Sequence, residues 1–151
     1  MKNTIRFLGI IALAAVIGLG MASCATSGGA KGEASVAPAI DYSILIEMQW
    51  PSDEALGNYG LSGLKLPEGT SVLGVPESGN QLVIVLRDAD KAVYDNISAQ
   101  IKALAYTTVE EKTDGTGSAA GYMKMSEDMT EAKMVTVGYS IEENAVVIIA
   151  Y

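Results

Sequence analysis

The sequence has 151 residues, of which 18 are acidic and ten are basic, and its formal net charge at pH 7 is -8. A chain this acidic lacks the basic surface that contacts nucleic-acid phosphates, so no nucleic-acid partner is expected. The sequence contains no histidine and a single cysteine. Catalytic triads, zinc sites and proton relays that depend on an imidazole are therefore excluded.

The first 23 residues have the organisation of an export signal. Lys2 and Arg6 precede an apolar run over residues 7–21, and two small residues then lead to Cys24. A basic start, an apolar run of roughly 7–15 residues and a small-residue cleavage site are the parts of a secretory signal peptide. The run falls short of the ~20 apolar residues that span a bilayer. We therefore expect residues 1–23 to form a signal peptide.

The residues around the single cysteine resemble a bacterial lipobox. Residues 21–24 read Met-Ala-Ser-Cys, with Met21 where leucine is usual, and residues 1–24 as a whole are similar to the signals of treponemal (spirochaete) lipoproteins. The resemblance implies that Cys24 is lipidated and becomes the mature N-terminus. Two or more acyl chains are needed for stable anchoring. It also implies an exported protein in the bacterial cell envelope, on the periplasmic or the cell-surface face, with membrane lipid as a partner.

Residues 24–40 connect the predicted anchor to the rest of the chain. They are rich in glycine, alanine and serine. Such a composition buries too little apolar area to order itself, which is typical of a flexible tether. We expect the folded domain to begin at residue 41 and to keep its stability when the tether is removed.

Residues 41–151 are long enough for a single domain. Alternating apolar residues predict a strand over residues 42–48, and the unbroken apolar run at 82–86 predicts a strand in the middle of a sheet. Asp88 is a candidate N-cap for a helix over residues 89–105. Four apolar residues are spaced to form one face of that helix: Val93, Ile97, Ile101 and Leu104.

A periodicity of two after the helix predicts four more strands, at 107–112, 121–125, 134–141 and 145–151. A short helix is expected after Ser52. The order of elements predicts an α+β fold, with an antiparallel sheet, two helices on one face, a ferredoxin-like β-α-β-β-α-β start and a C-terminal β-meander.

The domain also resembles small secreted bacterial lipoproteins of unknown function. Four features carry this resemblance: Ile46-x-x-x-Trp50-Pro51, Leu66-Pro67 before the second predicted strand at residues 71–75, the amphipathic helix and the terminal hairpin. The resemblance implies a fold and an envelope location, and it assigns no catalytic residue.

Two short motifs resemble catalytic or phosphate-binding sequences. Ser62-x-x-Lys65 matches the nucleophile motif of penicillin-recognising enzymes, but the companion motifs are absent, so a solvated loop is the preferred interpretation. The glycine-rich residues 114–121 precede a predicted strand rather than a helix, so they lack the helix N-terminus of a phosphate loop. We expect a hairpin loop there.

Acidic residues occur in pairs at predicted caps and turns. A hydrolase needs two carboxyl groups on opposite sides of a scissile bond, in a cleft. A weak Ca²⁺ site in the loops of residues 110–131 is an alternative, although the alternating Asp and Asn ligands of an EF-hand loop are missing. Solvated charge is the preferred interpretation of all the pairs, which are Asp88 and Asp90, Glu110 and Glu111, Glu127 and Asp128, and Glu142 and Glu143.

Four methionines form the remaining cluster, at Met123, Met125, Met129 and Met134. Thioethers are soft ligands that select Cu(I). The usual additional histidine is missing, so methionines that fill core gaps or form an adaptable surface are the preferred explanation. We expect no functional metal and no cofactor.

The leading functional hypothesis is a non-enzymatic, membrane-anchored envelope lipoprotein whose domain binds a protein or glycan ligand. The alternative is a periplasmic protein that binds Cu(I) through the methionines or Ca²⁺ weakly through the acidic loops. A small hydrolase based on carboxylates ranks third. An exposed apolar patch would favour the binding module, and converging methionine sulfurs would favour copper.

Overall fold

The computed structural model describes residues 36–75 and 80–151. Within these residues, seven strands form one sheet in which every neighbouring pair is antiparallel, in the order β1-β2-β3-β7-β6-β5-β4. The predicted signal peptide, Cys24 and the tether up to residue 35 lie outside the described residues. The strands are β1 (Ile46–Glu47), β2 (Ser71–Gly74), β3 (Leu82–Arg87), β4 (Thr107–Thr113), β5 (Gly117–Met125), β6 (Ala132–Ser140) and β7 (Ala145–Ala150).

The α+β class and the C-terminal meander are confirmed, whereas the ferredoxin-like start is wrong. Strands β4 to β7 are consecutive neighbours, and β7 then pairs with β3, with Val85 opposite Val147. All six residues of β7 are apolar and buried. A strand of this kind is stable only with cover on both faces and partners on both edges, so it lies inside the sheet rather than at an edge.

The predicted first strand is mostly replaced by a turn. The Asp41 carboxylate accepts hydrogen bonds from the backbone N–H of Ser43 at 3.0 Å and from its hydroxyl at 2.6 Å. This local bonding starts a 3-10 turn over Tyr42–Ile44, and only Ile46–Glu47 pairs with β2. The hydrogen bonds of Asp41 therefore favour a turn, although the alternation of apolar residues at 42–48 predicted a strand.

Two helices lie in the described residues: α1 (Asp53–Asn58), capped by Ser52 as expected, and α2 (Lys91–Ala103). The N-cap of α2 is Asp90, whose carboxylate accepts from the N–H of Val93 at 3.1 Å, and not Asp88, whose φ of 55° is left-handed. The helix is therefore two residues shorter at each end than predicted. Neither helix is long and apolar enough to cross a membrane.

Both helices contribute to a single apolar cluster on one face of the sheet. Ile97 and Ile101 are fully buried, which confirms the predicted helical face, and Tyr94 is buried beside them. Leu56 of α1 joins the same cluster. The sheet contributes the inward side chains of five strands, Val72, Ile84, Leu86, Ala120, Tyr122, Val135, Val137, Tyr139, Val146, Ile148 and Ala150.

The opposite face of the sheet is partly covered by residues 36–45, which we call the strap. Ile40, Tyr42 and Leu45 of the strap pack against a second apolar cluster. That cluster consists of Leu73, Val83, Val85, Ala145, Val147 and Ile149.

The N-terminal end of the strap is held by hydrogen bonds to the β4–β5 turn. The backbone N–H of Val36 donates to Oδ2 of Asp114 at 3.1 Å, and that of Ala37 donates to Oγ1 of Thr116 at 3.2 Å. The packed part of the chain therefore starts at least five residues before the predicted domain boundary at residue 41.

Candidate functional site

A groove of about 480 Å³ opens at the end of the sheet where the β5–β6 hairpin turns. We call it the hairpin groove. Four separate parts of the chain meet there: the end of α1, the segment before β3, the start of β6 and the residue after β7. The lining residues are Asn58, Tyr59, Asn80, Glu131, Ala132, Lys133 and Tyr151.

One wall of the groove is joined to the sheet by two long-range hydrogen bonds. Lys133 extends its ammonium group to the carbonyl oxygen of Asn58 at 2.7 Å, and the hydroxyl of Tyr106 donates to the carbonyl oxygen of Tyr59 at 3.1 Å. These bonds attach the C-terminal end of α1 to β6 and to the segment before β4. The carbonyl oxygens that a helix leaves unsatisfied at its C-terminus are natural partners for such donors.

Gly60 makes the close approach of these side chains possible. Its φ is +74°, and a Cβ atom at this position would lie 2.7 Å from Cδ of Lys133 and 2.7 Å from the hydroxyl oxygen of Tyr106. Only glycine combines a left-handed backbone with this absence of a side chain. Gly60 thus determines how α1 meets the sheet at the groove.

A smaller cavity of about 130 Å³ shares Glu131 and Lys133 with the hairpin groove and extends to Met125. Lys124 also lines it and donates to the carbonyl oxygen of Leu104 at 2.9 Å. The ammonium groups of Lys124 and Lys133 therefore both donate to backbone carbonyl oxygens. Their positions are held by these bonds, which prepares the surface for a ligand without further ordering of long side chains.

The β5–β6 loop beside the groove is held by Asp128. Its Oδ1 accepts from the hydroxyls of Ser126 at 2.6 Å and Thr130 at 2.7 Å, and from the Thr130 N–H at 3.1 Å. These hydrogen bonds, first of all those from the two hydroxyls, lower the pKa of Asp128 to about 2. The carboxylate of Asp128 therefore stabilises the loop, because its hydrogen bonds are made to residues of the turn itself.

The acidic residues do not come together as a metal site in the part of the chain that the structure describes. No group of three or more acidic, histidine or cysteine side chains there is arranged to hold an ion. Glu110 instead pairs with Lys112 at 2.5 Å, and Asp90 caps α2. Within residues 36–75 and 80–151, no such group lies in the loops of residues 110–131, where the sequence left a weak Ca²⁺ site open.

The structure does bring three of the four methionines together. Met123 of β5 lies directly opposite Met134 of β6, and Met125 follows on the same face of β5. Met125 is 44% exposed and Met134 is 47% exposed, while Met129 lies in the loop and is 77% exposed. The three strand methionines belong to neither apolar cluster of the described residues. They form a surface, which we call the methionine patch.

The Ser62-x-x-Lys65 motif and the glycine-rich segment at residues 114–121 both have structural roles. The hydroxyl of Ser62 donates to Oδ2 of Asp53 at 2.7 Å, and Lys65 is exposed and bonds Gln100 through its backbone, so the predicted solvated loop is confirmed. The glycine-rich segment turns at residues 114–116, which confirms a hairpin loop, but the loop is shorter than predicted because β5 begins at Gly117 rather than at residue 121.

The groove residues were not identified from the sequence. Asn58, Tyr59, Asn80 and Tyr151 come from positions distant in the chain, and each is an ordinary residue of a helix end, a turn or a terminus. No spacing relates these three parts of the chain; the packing of α1 against the hairpin places Asn58 and Tyr59 there, and the pairing of β3 with β7 places Asn80 and Tyr151 there. No protein-family model, no curated protein and no solved structure matches this chain.

Proposed function

We propose that this chain is a non-enzymatic, lipid-anchored lipoprotein of the bacterial cell envelope, and that its domain binds a protein or glycan ligand in the hairpin groove. The observation that carries the proposal is the groove itself. Its volume of about 480 Å³ lies within the range of roughly 300–1,000 Å³ that is typical of ligand sites.

The chemistry of the groove suits a ligand with both polar and apolar faces. Two tyrosines, Tyr59 and Tyr151, offer flat apolar rings with a polar edge. Two asparagines, Asn58 and Asn80, can each donate and accept hydrogen bonds through their side-chain amides. A sugar ring or a short extended peptide presents the same combination of surfaces, which supports the choice of ligand class.

The position of the groove is compatible with an anchor at Cys24. The strap is held at the β4–β5 turn, so the chain that leads back to Cys24 joins the domain at that end. The groove lies at the β5–β6 end, and the nine residues of β5 separate the two ends by about 30 Å at ~3.3 Å per residue. An anchored domain can thus present the groove away from its own membrane.

A site-specific crosslinking experiment in intact cells tests the proposal. A photoreactive phenylalanine analogue replaces Ala132 in the groove or, as a matched control, Ala99 on the exposed surface of α2. We expect a discrete adduct from position 132 only, which is lost when Tyr151→Ala is added to a domain that still melts cooperatively. Equal adducts at both positions, or none at position 132, would contradict a ligand site in the groove.

A further inference from the structure

Three thioethers lie together on the exposed face of the β5–β6 hairpin. In an antiparallel pair, directly opposed residues have Cβ atoms about 4.5–5.5 Å apart, and this is the relationship of Met123 and Met134. Met125 leaves the same face about 7 Å further along β5. Each methionine has three rotatable side-chain bonds, so the three sulfurs can reach one common point above the strands.

Packing in the core does not account for this arrangement. Met125 and Met134 have nearly half of their surface exposed, and Met123 is partly exposed. In the described residues, the apolar cluster on this side of the sheet is built on β2, β3 and β7 and does not extend to the methionine patch. Three adjacent exposed apolar side chains form a contiguous surface patch of the kind that marks an interaction site, which indicates a role for the thioethers themselves.

The charges around the methionine patch favour a cation. The lysines of the same hairpin, Lys124 and Lys133, alternate with the methionines and therefore leave the opposite face, where they bond the carbonyl oxygens of Leu104 and Asn58. The residue that pairs with Met123 from β4 is the neutral Thr107. The net charge of the chain is -8. A positive ion between Met123 and Met134 therefore has a neutral strand neighbour in Thr107. The nearby lysines are engaged: Lys124 and Lys133, which share the small cavity with Met125, bond carbonyl oxygens, and Lys112 of β4 pairs with Glu110.

We propose that Met123, Met125 and Met134 form a surface site for Cu(I). Neutral thioether sulfur is a soft donor that selects Cu(I) over Ca²⁺ and Mg²⁺, which prefer oxygen ligands. The exposed position suits a site that takes up and releases the ion rather than a buried structural site. This inference is independent of the hairpin groove, because the two sites use different residues and different ligands.

An anaerobic titration of the full chain with Cu(I), in competition with a chromogenic Cu(I) chelator, tests the site. The protein carries Cys24→Ala, so that no thiol contributes to binding. We expect one Cu(I) per chain and an affinity that falls at least about tenfold in Met123→Leu or Met134→Leu. Leucine has a similar volume and no donor atom, so these variants should keep their fold.

Met48→Leu is the matched control, because Met48 packs with the cluster under the helices on the other face. Its affinity for Cu(I) should equal that of the parent protein. X-ray absorption of the loaded protein should show sulfur ligands only. Failure to compete with the chelator, or equal affinity in the parent and Met123→Leu proteins, would overturn the proposal.

Discussion

Pro38 of the strap lies directly on the backbone of Gly138 in β6: a Cβ atom on Gly138 would be 3.0 Å from Cγ of Pro38. Ala37 lies close to Gly117 of β5, where an added Cβ would be 3.1 Å from the Ala37 Cβ and closer still to the carbonyl oxygen of Tyr139. Two glycines on adjacent strands thus leave room for two consecutive strap residues. The strap is part of the folded domain at these positions, although its composition is that of a linker.

Removal of the first part of the strap should destabilise the domain. A chain that starts at Asp41 loses the hydrogen bonds of Val36 and Ala37 and the apolar contact of Ile40. We expect its free energy of unfolding to be about 1–3 kcal/mol lower than that of a chain starting at Ser35. Urea denaturation of the two proteins measures the difference. Identical midpoints would mean that residues 36–40 behave as a free tether.

The stability of the domain should depend on the buried face of α2 and much less on its exposed face. Ile101 is fully buried, so Ile101→Ala should cost about 2–5 kcal/mol of stability. Its neighbour Lys102 is exposed, with its ammonium nitrogen 6.0 Å from the centre of the Tyr122 ring, and Lys102→Ala should cost less than about 1 kcal/mol. Thermal melts compare the two variants. Similar losses would contradict the placement of α2 on the sheet.

We expect Gly60→Ala to disturb the hairpin groove, because the added Cβ atom would collide with the side chains of Lys133 and Tyr106. This steric effect comes in addition to the cost of a left-handed backbone at a residue other than glycine. Gly69 is the matched control, because its φ of +80° is also left-handed but an added Cβ would have no atom within 4 Å. Both substitutions should cost about 1–2 kcal/mol from the left-handed backbone. Only Gly60→Ala should also shift the NMR signals of Lys133 and Tyr106, whose side chains it must displace. Equal stability losses with unchanged signals would contradict the tight contact.

Asp128 should titrate at unusually low pH. Its pKa is about 2 in the folded protein against an ordinary value of 3.8, because the ionised form accepts three hydrogen bonds. A lowered pKa means that the contribution to stability is fully present above the unfolded value and is lost as the pH falls from near 4 towards 2. A carbon NMR titration of the side-chain carboxyl measures the pKa.

Ser126→Ala removes one of these donors and should raise the pKa of Asp128 towards its ordinary value. Ser43→Ala is the control, since its hydroxyl bonds Asp41 instead. It should leave the titration of Asp128 unchanged. An unchanged pKa in Ser126→Ala would show that the hydroxyl of Ser126 is not the cause.

Lipidation at Cys24 should be directly detectable. Metabolic labelling with a palmitate analogue should mark the parent protein and leave Cys24→Ala unlabelled, because that cysteine is the only thiol in the sequence. Equal labelling of both proteins would contradict a lipid anchor at Cys24.

The sequence alone determined the features that depend on neighbouring residues. The face of α2 formed by Ile97 and Ile101, the Ser52 cap of α1 and the alternation of β6 all follow from local spacing, and the structure confirms them. The lysine and methionine sides of the β5–β6 hairpin follow from the same alternation. These features depend on the repeat of a helix or strand, which is a property of the backbone.

Only the tertiary structure decided the strand order, the extent of the strap and the groove. The pairing of β7 with β3 joins Leu82 to Ala150, and its stability comes from burial of both strands rather than from any local pattern. The strap packs because Gly117 and Gly138, which lie two register positions apart on the neighbouring strands β5 and β6, both lack a side chain. The groove exists because Lys133 reaches the end of α1 at Asn58. Contacts of this kind depend on distances in space, which the packing of the whole sheet sets.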